Sequence, residues 1–209
     1  MGYGRKLMLD FEEREIARQG IVKELLIWTA CIAGTILLAY LIINCFFEKT
    51  TMLDVSMETT LEKDSKIIIN KFSYILGKPD RFDVVVFELE GKEHSFYNIK
   101  RVIGLPGESV QIKDGQVYID GKEINEKVNV EAIVNSGLAE DEIVLEKDQY
   151  FVLGDNRNNS EDSRFATVGF IKKDDIIGKA WIKLKPLEFI SKLNEVVLDE
   201  DSDKKDDKK

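Results

Sequence analysis

The sequence is poor in the residues that build disulfides, metal centres and histidine-dependent sites. Its 209 residues include two cysteines and a single histidine, His94. Cys31 and Cys45 lie in one apolar run, where helical rise would separate them by about 21 Å, too far for a disulfide. The chain outside this apolar run therefore has neither a disulfide framework nor a cysteine-based zinc motif. A net charge of −9 argues against a nucleic-acid partner, because such a partner is normally met by a basic face.

One long uncharged run divides the chain. Leu25 to Phe47 are 23 residues without a charge, enough for a helix across a hydrocarbon core of about 30 Å. A cleaved signal peptide would have an apolar core of about 7–15 residues and a small-residue cleavage site, so we expect a permanent anchor instead. Five Lys or Arg precede the run, whereas Lys49 is the only one in the dozen residues after it. This asymmetry predicts a cytoplasmic N-terminal segment, residues 1–24, and an extracytoplasmic remainder.

The residues after the anchor have the pattern of a mainly β fold. Short β-type runs are expected to form strands at residues 66–72, 83–89, 96–104, 109–113, 116–119, 149–153 and 176–184. Asp114-Gly115 and Asp120-Gly121 are dipeptides typical of tight hairpins. We therefore expect an antiparallel, barrel-like domain over residues 48–190, in which residues 108–147 form a smaller β lobe. Residues 191–209 are expected to be a charged, disordered tail.

A lysine stands inside one of these expected strands. Around Lys100, the run from Phe96 to Gly104 has apolar residues on both faces of a period-two pattern, as in a central strand. Burial would disfavour the ammonium and lower the pKa of Lys100, and a neutral lysine is a base. The alternative is a solvated lysine on an edge strand, since lysine is rarely buried.

Two polar stretches accompany this strand. Ser56 follows the anchor within residues 54–61, and alone it would fit a turn or a helix cap. Residues 154–164 directly follow the expected strand at 149–153 and contain no large apolar side chain. Such polar density is typical of a hydrogen-bonded site loop, although a solvated loop would have the same composition.

Together, the three stretches resemble the bacterial type I signal peptidases, membrane-anchored Ser-Lys proteases that remove signal peptides from exported proteins. The resemblance spans roughly residues 50–185. It is carried by Ser56-Met57 with Thr60-Leu61, by Lys100 to Gly107, by Gly154 to Arg164, and by the strand box Arg81 to Phe87. It implies a single-anchor enzyme of the Gram-positive type that cleaves secretory preproteins at the outer membrane face, without metal or organic cofactor. The lipid bilayer and the secretion machinery are the further partners that it implies.

The resemblance also assigns roles to individual residues. Ser56 is the nucleophile, with its backbone N–H as an oxyanion donor, and Lys100 is the general base. Ser160 is expected to hold the lysine amine by a hydrogen bond. Supporting roles in the loop fall to Asp155, Asn156 and Arg157, and to an ion pair of Asp162 with Arg164.

Three residues depart from the family pattern. Thr59 stands where proline is usual, and Phe82 where glycine is common. Asp54 occupies the position at which relatives carry serine or glycine and at which a serine hydroxyl helps to bind the oxyanion. An ionised carboxylate cannot donate that hydrogen bond. We expect the side chain of Asp54 to point away from the site, because a charge beside Lys100 would hold the lysine protonated.

Two other functions use related chemistry. A catalytically weak or inactive relative that helps to assemble surface proteins would share the β domain, but it would not need Ser56, Lys100 and Ser160 together. A self-cleaving repressor-type Ser-Lys peptidase would share the dyad. The expected membrane span and the lack of a DNA-binding module argue against it.

Overall fold

The computed structural model describes residues 3–75, 77–89, 97–126 and 128–192. The chain divides into two compact units, Met1–Phe46 and Phe47–Lys209. The first is helix α1, Tyr3–Phe46, whose segment Gly20–Phe46 has a mean hydropathy of 2.3. By length and composition, this segment could cross a membrane. The helix already includes charged residues that precede the expected anchor, and Phe47 belongs to the next element.

The second unit is built from short strands. Their bounds are β1 Phe47–Thr51, β2 Lys66–Asn70, β3 Val84–Phe87, β4 Asn98–Gly104, β5 Ser109–Lys113, β6 Gln116–Ile119, β7 Lys122–Glu123, β8 Ile143–Val144, β9 Gln149–Leu153, β10 Ile171–Lys172, β11 Ile176–Leu184 and β12 Leu187–Phe189. Short 3₁₀ helices occur at Phe72–Tyr74, Gly137–Glu140, Lys173–Asp175 and Ile190–Lys192. The prediction of a mainly β fold is confirmed. His94 and most of the expected tail, residues 193–209, lie outside the described residues.

The larger sheet places the lysine strand in its interior. Its order is β1-β2-β11-β3-β4-β9-β10, with β12 paired to β11, and the pairs between neighbours are antiparallel. On β4, Lys100 lies opposite Val85 of β3, and Arg101 lies opposite Leu153 of β9. The edge-strand alternative for Lys100 is therefore wrong.

A second sheet has the order β7-β6-β5-β8 and lies within the segment expected as a smaller lobe. Asp114 and Gly115 join β5 to β6 with φ angles of 50° and 80°, and Asp120 and Gly121 join β6 to β7 with 49° and 72°. Positive φ at both central residues is the requirement of a type I′ hairpin turn. The two predicted hairpins are therefore confirmed.

Strand β4 contributes to each of the three apolar clusters that the described residues of this unit form. Ile99 packs with Met57 and Leu61, whereas Val102 packs with residues of β3 and β9. Ile103 joins the cluster that covers the second sheet. Because both faces of the strand are covered, its polar side chains must find partners inside the protein.

Candidate active site

The two residues predicted to perform catalysis are in contact. Lys100 Nζ donates a hydrogen bond to Ser56 Oγ at 2.5 Å, and the residues are only 1% and 3% exposed. Burial lowers the pKa of Lys100, although the nearby carboxylates of Asp54, Asp162 and Glu161 act in the opposite direction. A lysine with a lowered pKa can exist as the neutral amine that removes a hydroxyl proton.

The turn between β1 and β2 holds Ser56 against the core. The backbone N–H of Glu58 donates to the Val55 carbonyl at 3.1 Å, and that of Thr60 donates to the Met57 carbonyl at 2.8 Å. Met57 is fully buried in the cluster formed with β4. This methionine therefore packs beneath the site and fixes the turn by its burial.

Asp54 differs from the expectation. Its carboxylate points to Ser56: Oδ1 accepts hydrogen bonds from the Ser56 N–H at 3.0 Å and from Ser56 Oγ at 2.7 Å. Its Oδ2 lies 3.7 Å from Lys100 Nζ. Partial burial raises the pKa of Asp54, but the bonds from Ser56 and the charge of Lys100 outweigh it, so the pKa is lowered. The predicted outward orientation is wrong, because two donors and a cation attract the carboxylate inward.

The loop of residues 154–164 packs against the turn that carries Ser56. The Asn156 N–H donates to the Ser56 carbonyl at 2.9 Å, and Asn156 Nδ2 donates to the Val55 carbonyl at 3.1 Å. A Cβ on Gly154 would lie 2.2 Å from Ser160 Oγ and 2.5 Å from the Ser56 carbonyl oxygen. Only glycine leaves room for this approach, so Gly154 sets the distance between the loop and Ser56.

The predicted ion pair is present within this loop. Arg164 Nε contacts Asp162 Oδ1 at 2.7 Å, and Asp162 Oδ2 accepts from the Gly154 N–H at 3.1 Å. Arg157 Nε donates to the Gly154 carbonyl at 3.0 Å, while its Nη1 contacts Glu126 Oε1 at 2.6 Å. Two ion pairs therefore fix both sides of Gly154.

Asp155 joins the loop to strand β4. It accepts two hydrogen bonds from Arg101, Nε to Oδ1 at 2.8 Å and Nη2 to Oδ2 at 2.6 Å, and a further one from the Thr60 hydroxyl. No role for Arg101, Thr60 or Glu126 was predicted from the sequence. A buried role for Arg101 could have been predicted, because this cation follows Lys100 in a strand with two apolar faces. No sequence pattern predicts a role for Glu126.

Ser160 lies in the site without the predicted bond. Its Oγ is buried and has no hydrogen-bond partner among the described residues, while Lys100 donates to Ser56. The hydroxyl oxygen faces Gly154, where an added Cβ would lie 2.2 Å from it. The predicted link from Ser160 to the lysine amine is therefore not formed in this structure.

The chain is similar to known signal peptidases over most of its length. The model of the signal peptidase family, peptidase S26, matches residues 25–184. The probable signal peptidase I-2 of Synechocystis sp. is 37% identical over 145 residues, which cover 67% of this chain and 64% of that protein. Signal peptidase I P of Bacillus subtilis subsp. natto is 34% identical over 193 residues, which cover 88% of this chain and 98% of that protein.

A solved structure is similar to part of the chain. The crystal structure of a signal peptidase I from Enterococcus faecalis has 30% sequence identity and a TM-score of 0.38, and the match covers 49% of this chain and 97% of that one. The family match spans more than half of the chain, and the Bacillus relative matches at nearly full length. The chain therefore belongs to the signal peptidase I family of S26 peptidases.

Proposed function

We propose that this peptidase cleaves signal peptides from secretory preproteins, with Ser56 as the nucleophile and Lys100 as the general base. The observation that carries the proposal is the 2.5 Å contact between the two buried side chains. A serine hydroxyl is a weak nucleophile until a base within hydrogen-bond reach takes its proton. Since burial lowers the pKa of Lys100, its amine can be that base without a histidine.

The proposed reaction forms and then hydrolyses an acyl-enzyme. The neutral amine of Lys100 takes the Ser56 hydroxyl proton as Oγ bonds to the scissile carbonyl carbon. The Ser56 N–H donates to the oxyanion that develops, and the lysine ammonium then protonates the leaving amine as the C–N bond breaks. Water, deprotonated by Lys100 in turn, releases the acyl group and restores Ser56.

The loop of residues 154–164 is proposed to support this pair. Asn156 holds the turn through the Ser56 carbonyl, and the ion pairs of Asp162 and Arg157 fix the backbone at Gly154. We retain Ser160 as a support residue, because its buried hydroxyl faces the site. A rotation of the lysine amine toward Ser160 would satisfy that hydroxyl when Ser56 forms the acyl-enzyme.

Membrane attachment through Gly20–Phe46 is proposed to bring the peptidase to its substrates. The excess of cations before this segment supports an N-terminus in the cytoplasm and a peptidase unit on the outer face. The alternative of an inactive relative that assembles surface proteins is less well supported, because such a protein has no use for a buried lysine bonded to a serine.

Substitution of the dyad tests the proposal. Ser56→Ala, Lys100→Met and the double variant should each lose nearly all cleavage of a preprotein by the full-length chain in detergent. The double variant should be no worse than the single variants, because nucleophile and base act as one unit.

Two buried residues outside the dyad supply matched controls. Ser65→Ala removes a serine that is 9% exposed, and Lys183→Met removes a lysine that is 7% exposed. Both control variants should keep wild-type turnover. Near-normal cleavage by folded Ser56→Ala or Lys100→Met would refute the assigned roles.

A further inference from the structure

One carboxylate oxygen binds two groups that the reaction needs, the backbone N–H and the hydroxyl of Ser56. Asp54 Oδ1 accepts from both the N–H and the Oγ of Ser56. A hydroxyl has one proton and an ionised carboxylate has none, so the Ser56 proton is directed to Asp54 and Oγ must accept from Lys100. General-base catalysis needs the opposite direction, from Oγ to the lysine amine. The same contact occupies the backbone N–H that would bind the oxyanion.

The side chain of Asp54 has access to solvent, whereas that of Lys100 does not. The side chain of Asp54 is 56% exposed, while that of Lys100 is 2% exposed. A swing of Asp54 into solvent would give up its two hydrogen bonds from Ser56 and rehydrate its charge. It would leave Lys100 buried without the carboxylate that now lies 3.7 Å away.

The other charges that face Lys100 cannot substitute for Asp54. Asp162 is paired with Arg164, so its charge is largely compensated. Glu161 accepts a hydrogen bond from the Thr167 hydroxyl and is exposed, where water screens it. Asp54 is therefore the acid whose position most affects the protonation of Lys100.

We propose that Asp54 is a latch that bound substrate displaces, so that occupation of the site by a peptide activates the base. In the resting enzyme, Asp54 pairs with the Lys100 ammonium and holds the Ser56 N–H and hydroxyl. The scissile carbonyl oxygen then takes the place of Oδ1 at the Ser56 N–H, and the carboxylate, still ionised, moves into solvent. The lysine releases its extra proton to water, and the Ser56 hydroxyl turns toward the neutral amine.

This inference rests on the proposed function, and it predicts a difference between two pH profiles. The profile of kcat/KM reports the free enzyme, and that of kcat reports the complex. In the wild-type chain, kcat/KM should rise with pH through a higher pKa than kcat does. Asp54→Asn keeps the shape but removes the charge, so both profiles should coincide at the lower pKa. On the acid side, kcat/KM should increase about tenfold, the equivalent of one pKa unit.

Two further variants separate the latch from a simple charge effect. Glu161→Gln removes a nearby charge that makes no described contact with Ser56, so it should shift both profiles slightly and equally. Asp54→Ser should also raise turnover by about tenfold, because a hydroxyl can rotate inward as a second oxyanion donor. It repeats the test if Asp54→Asn fails to fold, which thermal unfolding of the full chain in detergent would reveal.

The outcomes are distinguishable from failure of the dyad itself. A single pKa shared by both wild-type profiles, or an unchanged separation in Asp54→Asn, would overturn the latch while inactive Ser56→Ala still supported the nucleophile. A folded Asp54→Asn enzyme that is slower at every pH would also overturn it, since Asp54 would then assist the reaction.

Discussion

Lys100 and Asp54 show how the surroundings of single residues decide the chemistry of this site. Burial lowers the pKa of Lys100, as the apolar residues around it in the sequence led us to expect. The position of Asp54 was not predictable in the same way. Its rotamer depends on donors from its own turn and on a lysine 46 positions away in sequence, and no periodic pattern records such contacts.

Phe82 stands at a position where glycine is common in the family pattern. Its φ angle is 72°, in the left-handed region that glycine adopts freely and that costs other residues roughly 1–2 kcal/mol. Its carbonyl accepts from Arg101 Nη1 at 2.9 Å, and its ring packs against the cluster that covers the second sheet. The backbone at position 82 thus keeps the left-handed conformation that favours glycine, and the packing of the Phe82 ring offsets the strain.

The strain at Phe82 predicts an inverted stability ranking. Phe82→Gly should be more stable than Phe82→Ala by about 1 kcal/mol, because both lose the ring and only alanine keeps the strain. At Val134, an exposed residue without positive φ, the glycine variant should be no more stable than the alanine variant. Denaturant unfolding of the full chain in detergent measures both pairs. An alanine variant at Phe82 as stable as the glycine variant would contradict the strain.

At the scale of elements, the longer strands were predictable and the shortest were not. Strands β5, β6, β9 and β11 have the expected bounds, and β2 and β3 are shorter by two and three residues. Strand β4 begins at Asn98, and residue 96, its expected start, lies outside the described residues. The two-residue strands β7, β8 and β10 are too short for alternation to give a signal. Strand β1 was missed because it follows the uncharged run without a break and is mostly polar. The polar composition of residues 154–164 predicted a site loop, but not the pairing of Arg157 with Glu126.

Helix α1 leads to a prediction about topology. With the N-terminus in the cytoplasm, protease added to intact protoplasts should digest the β unit and leave residues 1–24 protected. Permeabilised cells, in which both sides are accessible, serve as the control. Protection of the β unit together with digestion of the N-terminal segment would show the opposite orientation.

At the scale of the whole molecule, separate parts of the chain form one site. The turn after β1 supplies Ser56, the central strand β4 supplies Lys100, and the loop after β9 fixes the turn through Asn156. Apolar clusters cover both faces of β4, so the fold provides the burial on which the proposed role of Lys100 as a base depends.

The pH dependence of preprotein cleavage by the full-length wild-type chain tests the central claim most directly. A buried lysine that acts as general base must be neutral, so kcat/KM should rise as pH increases through a pKa well below the ~10.4 of a free lysine. The shift has this sign because burial disfavours the ammonium more than the nearby carboxylates favour it. Activity that rises only near pH ~10 would mean that Lys100 is solvated during catalysis, and it would contradict the account.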